Sequence, residues 1–183
     1  YKKFYDGCDQ IDKYDVIKRI KENRKEPNSR YLLLISKSSI SYHLLSYILE
    51  GEKYSIIIGS KFKQDLNSEE YQFKIINKIQ LFMEQGGTII LKKLDSVYPA
   101  LYDLFNQNFT VTSNRNYARI TIGKTINSYS YVNDNFKCII DQDISDIEKQ
   151  ESPFLNRFEK HIITFESLLT QELIEESKKI FSI

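Results

Sequence analysis

Cysteine is almost absent from this 183-residue chain: Cys8 and Cys138 are the only two, too few for the disulfide framework of a small secreted domain, so a reducing, cytoplasmic setting is expected. No C-x-x-C pair occurs, and His43 and His161 are the only histidines, which leaves a structural zinc site without a ligand set; no metal is expected. Charge of one sign is missing too. Lys and Arg total 26 against 25 Asp and Glu, a formal net charge of +1, which excludes the broad basic field that holds nucleic acid and leaves no acidic tail. Long hydrophobic runs are lacking: the longest, Tyr31 to Ile35 and Ile56 to Ile58, fall far short of a membrane span. Tyr1 to Gln10 is too polar and acidic for a signal or transit peptide, and with Tyr rather than Met at position 1 the chain reads as a segment of something larger.

What is present is an alternation of strand-length apolar runs and helical stripes. Val16, Ile17 and Ile20 mark one side of a charged helix over Tyr14 to Arg24, stopped at Glu26-Pro27-Asn28-Ser29. Tyr31 to Ile35 is apolar throughout, the pattern of a strand covered on both faces. A helix carrying Ile40, Leu44, Leu45 and Ile48 follows and closes at Gly51; a second buried strand, Tyr54 to Ile58, ends at Gly59. Ile75, Ile76, Ile79, Phe82 and Met83 stripe the next helix, Gly86-Gly87 ends it, and Thr88 to Leu91 is a third strand. Val97, Leu101, Leu104 and Phe105 share a helical face, with Pro99 in the first turn.

From Phe109 the pattern changes: Ala118 to Ile122 alternates polar and apolar, and Tyr129 to Val132 pairs with it as an inserted hairpin. Phe136 to Ile140 resumes the buried strands, Ser152 is read as an N-cap before Pro153, His161 to Phe165 as a last strand, and Leu169, Leu173, Ile180 and Phe181 as a final helical stripe. Strands apolar on both faces alternating with helices specify a doubly wound, three-layer α/β fold.

One motif matches a phosphate-binding loop in relaxed form, Ala118-x-x-x-x-Gly123-Lys124-Thr125. Its context is wrong, since Ile120-Thr121-Ile122 is a β-branched run where a cradle needs flexible backbone, and no helical stripe follows Thr125. In a doubly wound fold the cradle belongs after the first strand, where Ser36-Lys37-Ser38-Ser39 stands without a glycine. The acidic pair that would hold Mg²⁺ belongs after the third strand, where Lys92 and Lys93 stand. Asp141-Gln142-Asp143, at the end of the fourth buried strand, resembles the D-x-D of aspartyl-phosphate phosphotransferases, but too little chain follows to supply the other groups. Read as a calcium loop it puts Asp146 where glycine is needed and Ser152 where a bidentate Glu is needed. Asn156-Arg157 lies between Pro153 and the last strand; the plain reading is a surface ion pair with Glu151 or Glu159. His43 and His161 read as structural or exposed.

The order of Arg30 to Lys37 (RYLLLISK), Ile58-Gly59-Ser60, Leu94 to Gln107 (LDSVYPALYDLFNQ) and Pro153 to His161 (PFLNRFEKH) resembles the mysterin family, giant RING-bearing ubiquitin ligases with a dynein-like AAA+ core. The resemblance runs with gaps from Arg30 to the last helix, weakly over Thr110 to Asn135 and hardly at all over Tyr1 to Ser29. It implies a P-loop-type AAA+ large subdomain over 30–165, preceded by a linker and helix over 1–29 and followed by the start of a helical lid over 166–183. Because family members carry several AAA+ units of which only some retain an ATP site, it also implies that this unit is degenerate and does not hydrolyse ATP, its Ser36 to Ser39 loop and Lys92-Lys93 pair having lost the cradle and metal ligands. By the same resemblance Arg157 is an arginine finger reaching the ATP of an adjacent unit, and Asp141 and Asp143 occupy the strand-end position that active units use to sense the γ-phosphate. The implied partners are flanking AAA+ units, and, through a longer parent, ubiquitin and its conjugating enzyme, with ATP and Mg²⁺ in neighbouring units and zinc in the RING; no cofactor is implied for this segment. A self-contained ATPase on Gly123-Lys124-Thr125 and an aspartyl-phosphate phosphatase on Asp141 and Asp143 remain as rival readings.

Overall fold

The computed structural model describes residues 15–37, 40–122 and 126–168. Its centre is a five-stranded parallel sheet made of β1 (Leu32–Ser36), β2 (Tyr54–Ile58), β3 (Gly87–Lys92), β7 (Phe136–Asp143) and β8 (Glu159–Ile163), in spatial order β2-β3-β7-β1-β8. Helices α1 (Val16–Lys25) and α2 (Ile40–Ile48) cover one face; the other is covered by α4 (Glu69–Gln85), a 3-10 turn (Tyr98–Leu101) running into the one-turn helix α5 (Tyr102–Phe105), and a second sheet. Side chains alternate across each central strand, so Leu32, Leu34 and Ile139 enter the core under α1 and α2 while Leu33, Ile35 and Ile140 enter the opposite core. This is the three-layer α/β arrangement expected from the doubly apolar strands. No helix among the described residues is long and apolar enough to cross a membrane.

Local chemistry accounts for the helix ends. Asp15 caps α1 by accepting the Lys18 N–H (3.0 Å), and Val16 and Ile20 are wholly buried against the sheet, so α1 packs into the same core as the strands. Ser68 caps α4, accepting from the Tyr71 N–H at 3.3 Å, with Glu69 and Glu70 favourably placed in the first turn. Ser68→Ala is therefore expected to cost about 1 kcal/mol, seen as a lower urea midpoint with an unchanged slope.

Several elements differ from the sequence expectation. β2 is half-buried rather than buried, because it lies at the sheet edge and Ile58 faces solvent. The stripe Val97, Leu101, Leu104 and Phe105 is buried as expected, but as a 3-10 turn and one α-turn in place of a continuous helix. A short helix, α3 (Lys63–Leu66), had no periodic signal. The inserted hairpin is a three-stranded antiparallel sheet, β4 (Phe109–Thr112), β5 (Arg115–Ile122) and β6 (Ile126–Val132). Ser113 and Asn114, both at positive φ, make the tight turn between β4 and β5. Ala118, Ile120 and Val132 from this sheet close the core beneath α4, where Gln80 Nε2 donates to Ser130 Oγ (2.6 Å).

Two further boundaries move. The last described helices are α6 (Ser152–Leu155), with Glu151 at the N-cap position and making no side-chain cap, so that Ser152 is its first helical residue, and α7 (Phe165–Leu168), which takes Phe165 out of the last strand. The helical stripe from Leu169 lies outside the described residues.

Candidate functional site

Parallel sheets present ligand sites at the carboxyl ends of their strands where the chain order reverses. Here that point lies beside β1, whose neighbours β7 and β8 lead to opposite ends of the sheet order. The residues singled out by sequence converge on it. Register places Lys92, the last residue of β3, directly opposite Asp141 of β7, and Ser36, the last residue of β1, opposite Asp143.

The geometry is that of a closed polar cluster. Lys92 Nζ donates to Asp141 Oδ2 at 2.5 Å, and Ser41 Oγ, reaching down from α2, donates to Asp141 Oδ1 at 2.7 Å. Ser36 Oγ donates in turn to Ser41 Oγ at 3.1 Å. Asp141 is only 3% exposed, so its charge is desolvated and depends on these donors. With one carboxylate oxygen on an ammonium and the other on a hydroxyl, Asp141 is poorly suited to bind a divalent cation, which Lys92 would repel. Among the described residues no group of three or more His, Cys, Asp or Glu side chains is placed to hold a metal ion. With Lys92 and Ser41 seated on its two oxygens, the Asp141 carboxylate does not fit Mg²⁺.

The neighbouring positions are equally accounted for. Lys37 is exposed just beyond β1; Ser38 and Ser39 lie outside the described residues. Lys93 is exposed at positive φ (55°), and its carbonyl passes so close to Gly59 that a Cβ there would sit 1.7 Å from the oxygen, which explains glycine at the end of β2. Asp143 Oδ1 accepts from the Ser145 N–H (3.0 Å) and Oγ–H (2.7 Å); these bonds first, then Lys93 and Lys92, hold its carboxyl below its usual range. β7 runs through Asp143, so Asp141-Gln142-Asp143 is strand and not the loop after it. Gly123-Lys124-Thr125 lies outside the described residues, but Ile122 and Ile126 on either side pair across the antiparallel β5–β6 ladder, so a strand and not a helix follows the motif.

Arg157 is at the other edge of the sheet, in the turn between α6 and the start of β8. It makes no ion pair with Glu151 or Glu159. Its guanidinium lies over the Tyr102 ring (4.0 Å to the centroid), Nε donates to Asn106 Oδ1 (2.8 Å), and Nη1 donates to the Pro153 carbonyl (2.9 Å). The two most distinctive sequence stretches are thereby one unit: Tyr102, Phe105 and Asn106 of the first touch Phe154, Arg157 and Phe158 of the second.

His161 is buried, its Nε2 2.9 Å from Glu159 Oε1, while His43 is exposed on α2 with its ring edge-on to Tyr42. Ser41, which completes the strand-end cluster, and Tyr102 and Asn106, which hold Arg157, were not legible in the sequence because their partners are distant along the chain.

The sequence pattern of the family described as RNF213 AAA domain matches residues 21–169, spanning the whole central sheet and both clusters. This chain belongs to that family. As an RNF213-type AAA domain it is 31% identical over 145 residues to the mouse (Mus musculus) E3 ubiquitin-protein ligase RNF213, covering 77% of this chain and 3% of that protein. It is 29% identical over 161 residues to the human (Homo sapiens) protein of the same name, covering 84% and 3%. With the zebrafish (Danio rerio) E3 ubiquitin-protein ligase rnf213-beta it shares 28% over 181 residues, covering 85% and 4%. The chain thus spans about 3–4% of the length of these relatives.

The RNF213-type AAA fold also resembles the crystal structure of a DNA polymerase III gamma subunit-related protein from Thermotoga maritima. That match has a TM-score of 0.53 and 7% identity, covering 90% of this chain and 50% of that one. At that identity the likeness speaks for the fold alone.

Proposed function

We propose that this AAA domain does not hydrolyse ATP and serves as a structural and coupling member of a longer AAA+ ubiquitin ligase. One observation carries the reading: the Lys92 ammonium sits on Asp141 Oδ2 at the strand ends, where a hydrolysing unit needs carboxylates free for Mg²⁺. A fixed internal cation does there what metal and nucleotide do transiently in an active unit: it joins β3, β7 and, through Ser41, α2 into one body. On this reading ATP and Mg²⁺ act in neighbouring AAA units. The flanking units are this domain's direct partners, and ubiquitin, its conjugating enzyme and the zinc of a RING belong to the parent protein in the cytoplasm.

Arg157 is the residue proposed to serve the adjacent unit's ATP. Support comes from its setting: the Tyr102 ring and Asn106 hold the guanidinium in one orientation, which lowers the entropy lost when a finger engages a γ-phosphate.

The test uses the full-length parent. A photoreactive ATP analogue is expected to label other AAA units and leave this domain unlabelled, and Arg157→Ala is expected to lower ATP turnover, with the affected unit losing about 10³-fold or more. Arg157→Lys is expected not to rescue, because an ammonium cannot reproduce the stacked planar fork. Labelling of this domain that Lys37→Ala abolishes would refute the non-hydrolysing reading, and unchanged turnover would return Arg157 to a packing role.

A further inference from the structure

At the edge of the central sheet opposite the Lys92–Asp141 cluster, where β2, β3 and β7 begin, a cleft of about 520 Å³ opens beside the end of α1. Arg24, Lys25, Lys53 and Lys137 line it, with only Glu52 and Asp134 as carboxylates. Glu52 is already committed to Arg24, which grips it with Nη1 (2.9 Å) and Nη2. Three ammonium groups are then left to one carboxylate, Asp134.

The cationic groups show the imbalance individually. Arg24 Nη2 also donates to Thr88 Oγ1 (3.3 Å), but its Nε is buried with no acceptor among the described residues, and a buried unpaired donor marks a place where a partner belongs. Lys53 Nζ donates to the neutral Gln85 Oε1 (2.8 Å). Lys137 Nζ has the Glu26 carbonyl (2.8 Å) and Ser29 Oγ (3.5 Å), both uncharged acceptors. Burial first, then repulsion from Arg24, push the Lys137 pKa down against the pull of Glu26, as expected of a cation short of counter-charge.

A second cleft of about 450 Å³ continues from the first, sharing Pro27, Asp134 and Lys137. Its walls carry the amides of Asn28 and Asn116 beside the Phe109 ring, with Gln107, whose Nε2 donates to the Ser29 carbonyl (2.9 Å) and whose Oε1 remains an acceptor, and Asn133, which is bonded to the Glu84 carbonyl and the Asn135 N–H. Amides donate and accept, so this half suits a polar, uncharged body lying against an aromatic face. Three ammonium groups less one carboxylate match the roughly −1.5 to −2 charge of a phosphate monoester.

We infer that the two clefts form one site for a small organic phosphate, its phosphoryl group among Lys25, Lys53 and Lys137 beside Arg24 and its polar body between the amides near Phe109. The site lies on the opposite edge of the sheet from the strand-end cluster, and it stands whether or not this domain hydrolyses ATP.

The test is hydrogen exchange on the full-length protein, titrated separately with pyrophosphate and ribose 5-phosphate and read only at segments 24–29, 52–54, 107–116 and 133–137, so that binding at other AAA units does not enter. Both probes are expected to protect 24–29, 52–54 and 133–137 saturably, and ribose 5-phosphate alone to protect 107–116. In a Lys25→Gln/Lys53→Gln variant, which leaves the Lys137 contacts in place, the half-saturating concentration is expected to rise about tenfold or more. Lys78→Gln, on the exposed side of α4, is expected to change nothing. Lack of saturation, protection that survives the double substitution, or the same protection from sodium chloride at equal ionic strength would overturn the site. Ribose 5-phosphate protecting no more than pyrophosphate would overturn the amide half, and tighter binding of a phosphoserine peptide would overturn the small-molecule occupant.

Discussion

Lys92→Ala is expected to destabilise the domain by about 3–5 kcal/mol, the range for removing one partner of a buried ion pair. In a chain of this size that corresponds to a melting temperature lower by roughly 6–20 °C. The loss arises on Asp141, which is 3% exposed and would be left with only the Ser41 hydroxyl as a side-chain partner. The Lys92 side chain, 22% exposed, is the less desolvated partner, so the cost of having buried the pair falls mostly on the carboxylate. Lys92→Met combined with Asp141→Leu is expected to recover most of the stability, because an apolar pair of similar volume leaves no buried carboxylate without its partner. Differential scanning calorimetry on both variants decides the matter. A Lys92→Ala midpoint within about 1 °C of wild type would mean that the pair does not organise the strand ends, and the proposed function would lose its carrying observation.

A comparable loss, about 3–5 kcal/mol, is expected for Phe154→Ala. Phe154 is 2% exposed and occupies the middle of an aromatic cluster. It stacks on Tyr98 (centroids 5.2 Å, planes 20° apart) and meets Phe158 edge-on at 5.1 Å and Phe105 at 6.1 Å. The elements that bring these rings together are a 3-10 turn and two single-turn helices, too short to persist without tertiary packing. Removing the central ring therefore loosens the seat of Arg157 as well. Urea denaturation should show the lower midpoint, and hydrogen exchange at residues 98–106 and 152–158 should accelerate more than at β1 or β3. A loss under about 1 kcal/mol, the usual effect of a tolerated core swap, would mean that the cluster collapses onto the gap and the packing is less interlocked than the ring geometry implies.

Legibility in the sequence followed how local each feature is. β1, β3 and the first part of β7 were readable because strands covered on both faces are apolar at every position, as in Leu32 to Ile35, Ile89 to Leu91 and Cys138 to Ile140. α4 was readable because Ile75, Ile76, Ile79 and Met83 repeat at helical spacing and are buried on one side. β4 leaves no pattern in the sequence because Phe109-Thr110-Val111-Thr112 is a mostly exposed strand with no buried face to mark it. β7 runs past Ile140, where the apolar pattern ends, because the sheet carries the polar Asp141, Gln142 and Asp143 on in strand conformation beside β1. The edge position of β2 was invisible, since Tyr54 to Ile58 has the same composition as a central strand. The absence of glycine in Ser36 to Ser39 and the lysines at 92 and 93 were read directly, as were the candidate residues Asp141, Asp143 and Arg157.

By itself, then, the sequence determined the layer architecture, the strand-ending loops and the identity of the residues gathered there, because hydrophobic periodicity and local composition act within a few residues. The tertiary structure alone decided what those residues do to one another. Lys92 meets Asp141 across 49 positions, Ser41 reaches the same carboxylate across 100, and Arg157 meets Asn106 across 51. Such contacts depend on the strand order β2-β3-β7-β1-β8 and its register, which come from the packing of the whole sheet and leave no mark on the chain on either side of each residue.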